Sequence, residues 1–142
     1  MATTTATLTL SSGDLTGDAL SLSTTATLTK GNSSTGLDQT FGVNRKTYTA
    51  ASEVVLFDET DFGAASDPAH KVYIRNTSTS SSEYVTVKLG DGVSDTNAQE
   101  LGRIYGGDWM FIPYSAAADT DITVTPSVSS VLTLEYMAIY HS

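Results

Sequence analysis

The 142-residue sequence contains no cysteine, only three prolines, two histidines and seven Lys or Arg residues. Without cysteine the chain can form no disulfide, no thiolate nucleophile and no thiolate-based zinc site. No run of 18 apolar residues is present, so no membrane-spanning helix is expected. The N-terminus also lacks the basic segment and continuous apolar core of a signal peptide, which predicts a protein used without Sec-type export.

The scarcity of basic residues leaves a formal net charge of −9. Such a charge repels phosphate backbones and anionic lipid, so the sequence predicts binding to neither nucleic acid nor membrane. Polar surface comes mainly from hydroxyl groups, because the chain has 23 Thr and 18 Ser but only 16% charged residues. Hydroxyl groups cost less to desolvate than charges do, which favours broad contact with other protein surfaces.

Residues for nucleophilic catalysis are few. His70 and His141 lie in no nucleophile motif, and we interpret both as surface or strand-end histidines. Glu100 and Glu135 fall on predicted strands, where an exposed position or an ion pair with Arg103 is favoured over a glycosidase pair. The sequence therefore predicts no catalytic residue, no cofactor and no enzyme.

Two acidic loops supply the oxygen ligands that Ca²⁺ prefers. They begin at Asp58 and at Asp91, and neither has the spacing of an EF-hand, which requires a bidentate Glu at its twelfth position. We expect these carboxylates to be ordinary loop residues and predict no metal site.

Residues 1–48 are predicted to form a Ser/Thr-rich N-terminal arm or strand pair. The motif Thr-Thr-Ala-Thr-Leu-Thr at 4–9 recurs at 24–29, and leucines and alanines alternate with hydroxyl residues around both copies. An isolated two-stranded ribbon is marginal in water, so the pair must dock on the rest of the chain or on another chain. Completion of the main sandwich by these strands is an equal alternative. The rest of the segment, 30–48, is predicted to be a loop whose basic pair, Arg45 and Lys46, is a solvated charge pair or a contact to an acidic neighbour.

Residues 49–142 are predicted to form an all-β, antiparallel β-sandwich that is jelly-roll-like. At most eight short strands are expected, among them 54–57, 71–76, 83–89, 101–105, 109–113, 121–126 and 131–140. The pattern predicts one hairpin over 71–89 and another over 101–113, the second turning at Gly106 and Gly107.

The segment 99–114 holds the only Trp and the densest run of large side chains. Trp109, Phe111 and Pro113 alternate with Met110 and Ile112, so both faces of this strand are apolar and predict burial in a sandwich or against a partner. Aromatic residues here could instead stack on sugars. The candidate interface or core residues are Thr5, Thr7, Leu8, Leu10, Leu22, Leu28, Arg45, Lys46, Tyr105, Trp109, Phe111, Tyr114, Tyr136 and Tyr140.

Several of these segments together resemble small all-β virion proteins of tailed bacteriophages. The similarity rests on the step Ile74-Arg75-Asn76, the strand Val85-Thr86-Val87, the run from Ile104 through Gly107-Asp108 to Ile112-Pro113, and the closing step Glu135-Tyr136. The Thr-rich N-terminus is similar to openings of marine cyanophage structural proteins.

The resemblance implies a capsid decoration or cement protein, made in the host cytoplasm and held on the outer capsid surface of the virion. Its implied partners are the major capsid protein, other virion proteins and further copies of itself, with a trimer favoured. We expect residues 2–30 to be the arm that meets the shell. A tail or fibre component that binds host glycan is the alternative.

Overall fold

A computed structural model describes residues 3–14, 17, 19–62, 69–128 and 131–141. Residues 63–68, in the acidic loop predicted to begin at Asp58, and residues 129–130, just before the last predicted strand, lie outside these ranges. The described residues form a short 3₁₀ helix, Glu59–Phe62, and eleven strands. The strands are β1 (Thr5–Ser12), β2 (Leu20–Thr27), β3 (Gln39–Thr40), β4 (Asn44–Tyr48), β5 (Val54–Phe57), β6 (His70–Asn76), β7 (Tyr84–Gly90), β8 (Gln99–Tyr105), β9 (Trp109–Tyr114), β10 (Asp121–Pro126) and β11 (Leu132–Tyr140).

Two antiparallel sheets form the sandwich. The first has the order β4-β11-β6-β9, and the second has the order β5-β10-β7-β8. Strand β3 pairs with β11 on the same edge as β4, but nearer the C-terminal end of β11. This is the strand order of a jelly roll, in which two Greek keys wrap into facing sheets. The predicted all-β antiparallel sandwich is therefore confirmed.

The core between the sheets follows from the alternation of buried and less buried residues, which is clearest in β6 and β7. In β6, Val72 and Ile74 are fully buried, whereas Arg75 is exposed. The same period of two buries Val85 and Val87 in β7. Because successive side chains of a strand point to opposite faces, each sheet gives one face to the core.

Both predicted hairpins are wrong. Strands β6 and β7 belong to different sheets, and so do β8 and β9. The 106–107 turn carries the chain from one sheet to the other, and only Gly107 has a positive φ, of 89°. A Cβ on Gly106 would overlap the carbonyl oxygen of Ser80, so this glycine is required for close packing against the neighbouring turn. Turn residues predict a reversal of the chain but not which strand lies alongside.

The predicted loop over 30–48 is wrong in its second half. Strands β3 and β4 pair with β11, with Asn44 opposite Tyr136 and Thr40 opposite Ile139. Short polar strands of this kind lack the apolar alternation by which strands are predicted, and they form because β11 offers a free edge. Through the pairing of β3 and β4 with β11, residues 39–48 thus belong to the sandwich rather than to the N-terminal arm.

Candidate protein-binding surface

Strands β1 and β2 form a separate two-stranded antiparallel ribbon with two unlike faces. Their register places Ala6 opposite Ala26 and Leu10 opposite Leu22. The apolar face consists of Ala6, Leu8, Leu10, Leu20, Leu22 and Ala26, interrupted only by Thr24 and Ser12. The other face carries hydroxyl residues alone, among which Thr7 and Thr25 are joined by a 2.8 Å hydrogen bond between their Oγ1 atoms. The strand pair predicted from the repeat is therefore present.

The apolar face of the ribbon is not covered by the sandwich. Its four leucines remain 38–44% exposed. At its base the ribbon is fixed by buried Leu28 and Leu37, whose main chains are hydrogen-bonded to each other, and by a bond from Leu28 N to Thr4 O of 2.8 Å. The ribbon is thus anchored at one end, while its leucines face solvent.

The outward face of the β4-β11-β6-β9 sheet carries cations and aromatic side chains. The strand pairing aligns Arg45, Glu135, Arg75 and Trp109 in one row. The next outward-facing row contains Met137, Tyr73 and Phe111. Strands β3, β4, β6, β9 and β11 hold four of the chain's seven Lys and Arg residues but one of its sixteen Asp and Glu residues. This sheet is therefore cationic within an acidic protein, a charge separation that the sequence analysis did not predict.

Arg45 and Lys46 both have partners within the chain. Arg45 donates to the Glu135 carboxylate at 2.9 Å, and Tyr73 Oη lies 3.5 Å from the same group. Lys46 Nζ lies 5.6 Å from the ring centroid of Tyr48. The Arg45 side chain is largely exposed although its partner Glu135 is mostly covered, so the guanidinium group can still be reached by another protein.

An apolar cleft of about 450 Å³ lies between the ribbon and the outward sheet face. Ala6, Leu8 and Ala26 line one side, and Trp109 and Phe111 line the other. Trp109 is 55% exposed. Of the two interpretations of this strand, burial in the sandwich is therefore wrong for Trp109, and contact with a partner stays a prediction. The outward face of β9 is apolar. Because β9 is an edge strand, neighbouring residues cover this face only in part.

The remaining candidate residues divide between core and surface. Tyr114 is buried, and Tyr136 and Tyr140 pack against the core, where Phe57 meets Tyr136 edge-on at 5.6 Å. Burial, above all, raises the pKa of Tyr114. Tyr105 is exposed and packs on Tyr84, with ring centroids 5.2 Å apart. Whether the exposed candidates meet a partner stays a prediction; they are Thr5, Thr7, Leu8, Leu10, Leu22, Arg45, Lys46, Tyr105 and Trp109.

The histidines and acidic residues have structural partners. His70 is fully buried and stacks on Phe62 at 5.4 Å, so its interpretation as a surface residue is wrong, although it does begin a strand. Glu100 pairs with Arg103 at 3.7 Å. Asp121 Oδ1 accepts a hydrogen bond from Glu59 N at 2.9 Å, at the start of the 3₁₀ helix. The pKa of the Glu59 carboxyl is raised by desolvation and by hydrogen bonding and proximity to Asp121.

The acidic loops close on themselves. Asp58 accepts hydrogen bonds from the hydroxyl and main chain of Thr60, which lower its pKa. Asp95 accepts the main-chain N–H groups of Asn97 and Asp91, at 2.8 and 3.0 Å. Within the described parts of the chain, no three His, Asp or Glu side chains meet as a metal ion would require. Nor do those parts include a helix with the length and apolarity needed to cross a membrane.

Two further residues with several polar contacts were missed by the sequence analysis. Asn76 is fully buried at the end of β6, and its side chain bonds to Ile104 of the other sheet and to Glu83. Glu53 binds Thr123, Ser94 and Lys88. Asn76 ends a strand whose alternate residues are apolar, which is the one local signal of its burial. Glu53 gives no such signal, because its three partners are distant in sequence.

No family model and no curated protein matches the sequence. Among solved structures, the crystal structure of the Yersinia pseudotuberculosis-derived mitogen is a match. The match covers 73% of this chain and 87% of that chain, with 13% sequence identity and a TM-score of 0.45. Similarity at this level establishes neither a family nor an activity.

Proposed function

We propose that the protein is a phage virion structural protein, a capsid decoration or cement protein that binds the outer capsid shell through protein–protein contacts. The observation that supports this proposal is the outward sheet face, which combines exposed cations with a half-exposed Trp109 on a chain of net charge −9. Arg and Trp are the residues that most often dominate protein–protein binding energy. The sequence resemblance to virion proteins adds the biological setting.

The partner surface that fits this face is acidic or neutral and presents apolar side chains. Arg75 is exposed and lies directly opposite Trp109 on the neighbouring strand, and both side chains point away from the core. The hydroxyl-rich face of the ribbon offers further area that loses little on desolvation. A shell lattice would multiply contacts of this modest strength, because each bound copy meets neighbours at high effective concentration.

Binding to capsids would test the proposal. Heads of the encoding phage that lack the protein are mixed with the full chain, sedimented, and imaged to count bound copies. We expect many copies per head, and at least about tenfold weaker binding for Arg75→Glu. Arg103→Glu, which reverses an exposed charge on the opposite sheet, serves as the matched control. Recovery of a few copies only, or recovery with tails alone, would exclude the assignment to the head.

A tail or fibre protein that binds host glycan is the second candidate. It is favoured by one observation, the three aromatic side chains Tyr73, Phe111 and Trp109 that line the cleft. Sugar rings stack on such surfaces, although a glycan site also needs planar polar groups, and this cleft is lined mostly by apolar side chains. Binding on a glycan array that is lost in Trp109→Ala would support this candidate over the first.

A further inference from the structure

The ribbon has a face that its own chain leaves uncovered. Strands patterned with apolar residues on one face and hydroxyl residues on the other are built to bury the apolar face. Here only the part of the face nearest the base borders the cleft, at Ala6, Leu8 and Ala26, and Leu10, Leu20 and Leu22 beyond it are exposed. A two-stranded ribbon without a covered face is marginal in water, so the pattern requires a further partner.

We infer that this apolar face binds the same face of a second copy of the chain, in a twofold pair with antiparallel ribbons. Neither β1 nor β2 carries a charged residue, whereas the whole chain has a net charge of −9. Two copies therefore repel each other over most of their surface but not here. An identical face on each partner gives a closed contact, since in a twofold pair every contact from one copy to the other is repeated in reverse across the axis.

Charge selects the antiparallel arrangement. Asp14 lies in the turn beyond β1 and accepts a hydrogen bond from Ser12 Oγ at 2.9 Å, whereas Lys71 lines the cleft at the base of the ribbon. An antiparallel pair places the acidic turn of one ribbon beside the cationic base of the other. A parallel pair would instead bring the two acidic turns together.

The size of the face sets the expected strength. Eight residues of strand extend about 27 Å, and two strands are about 10 Å wide, so one face offers roughly 270 Å² of projected area. A standard interface buries about 800 Å² per partner. The ribbons alone should therefore associate weakly, and covalent trapping measures such a contact better than purification does.

Single cysteines test the contact, because the native chain has none. Leu8→Cys introduces a thiol near the middle of the apolar face, and Thr9→Cys introduces one on the opposite face of the same strand. Under mild oxidation we expect disulfide-linked dimers from Leu8→Cys several-fold faster than from Thr9→Cys. Equal rates for the two variants, or no dimer from Leu8→Cys at high protein concentration, would overturn the inference.

Sedimentation equilibrium supplies a second measurement. We expect the dissociation constant to rise at least about tenfold in the double variant Leu10→Thr with Leu22→Thr, since Thr keeps the strand but removes apolar area. Val131→Thr, which removes an exposed aliphatic side chain outside the ribbon, is the matched control. Asp14→Lys should weaken association although it lowers the net negative charge; stronger association would overturn the antiparallel arrangement.

The same experiment separates the pair from the trimer that the sequence resemblance implies, because the two assemblies differ in mass. A trimer would overturn the twofold contact. The inference does not depend on the capsid. A monomer that still binds heads would overturn the pair alone, and a pair that binds no heads would overturn only the proposed function.

Discussion

The Asn76 side chain joins the two sheets of the sandwich, since its Nδ2 donates to the carbonyl oxygen of Ile104 at 3.2 Å. The same amide group donates to Glu83 O at 3.1 Å, and its oxygen accepts from Ser78 N at 3.0 Å. Asn76 ends β6 in one sheet, and Ile104 belongs to β8 in the other. One buried amide thus fixes both ends of the 77–83 turn and ties that turn to β8.

Replacement of Asn76 by Ala should lower the free energy of unfolding by about 2–3 kcal/mol. The substitution leaves main-chain groups at a buried site without partners, and each such group costs about 1–3 kcal/mol. Urea denaturation measures the change. Asn97→Ala, at an exposed position, is the control and should stay within about 0.5 kcal/mol of the parent. Equal stability of the two variants would contradict the role assigned to Asn76.

Gly106→Ala should destabilise the fold because the added methyl group meets the main chain of the 78–80 turn. Backbone cannot move aside as a flexible side chain can, so we expect a loss of about 1–3 kcal/mol, as for overpacked cores. In Gly13→Ala the methyl group meets nothing within 4 Å, and thermal unfolding should be almost unchanged. A variant Gly106→Ala that melts with the parent would show that the two turns are not in close contact.

Trp109→Ala should weaken partner binding while leaving most of the stability intact. The side chain is half exposed, so its truncation should cost less than about 1.5 kcal/mol. By contrast, Phe57→Ala removes a fully buried ring and should cost about 3–5 kcal/mol. Chemical denaturation of the two variants distinguishes a surface residue from a core residue. A loss for Trp109→Ala as large as for Phe57→Ala would place the indole in the core after all.

Glu53 should make stability depend on acid pH. Burial raises its pKa, but hydrogen bonds from Thr123 and Ser94 and the pairing with Lys88 outweigh that effect, so the pKa is lowered from 4.5. A carboxyl group whose pKa is lower in the folded state stabilises the fold above its unfolded pKa, and that contribution is lost as the pH falls through the folded pKa. Stability should therefore decrease below about pH 4.5, and Glu53→Gln should flatten the decrease.

Unfolding of both proteins between pH 2 and pH 7 measures this dependence. Glu100→Gln, which removes a charge from an exposed ion pair, controls for the change in net charge. If the pH dependence of Glu53→Gln equals that of the parent, Glu53 does not contribute to acid stability.

The predicted bounds of seven strands of the sandwich agree with the observed bounds to within about two residues. They could be predicted because the alternation of apolar and polar residues is a local property. The ribbon was also predictable, since apolar residues alternate with hydroxyl residues around both copies of the repeat. Strands β3 and β4 were missed because polar residues such as Asn44 and Arg45 show no alternation. Their strand geometry comes from β11, nearly 90 residues away in the chain.

The sequence by itself determined the fold class and which residues alternate between two faces, since both depend on a period of two residues. Only the tertiary structure decided which strands pair, that Trp109 is exposed, and that cations gather on one sheet. These features depend on neighbours brought together from distant parts of the chain, and a local pattern contains no information about such neighbours. The exposed leucines of the ribbon depend on both the sequence and the tertiary structure. The sequence pattern requires that one face be buried, and the fold leaves that face exposed to solvent.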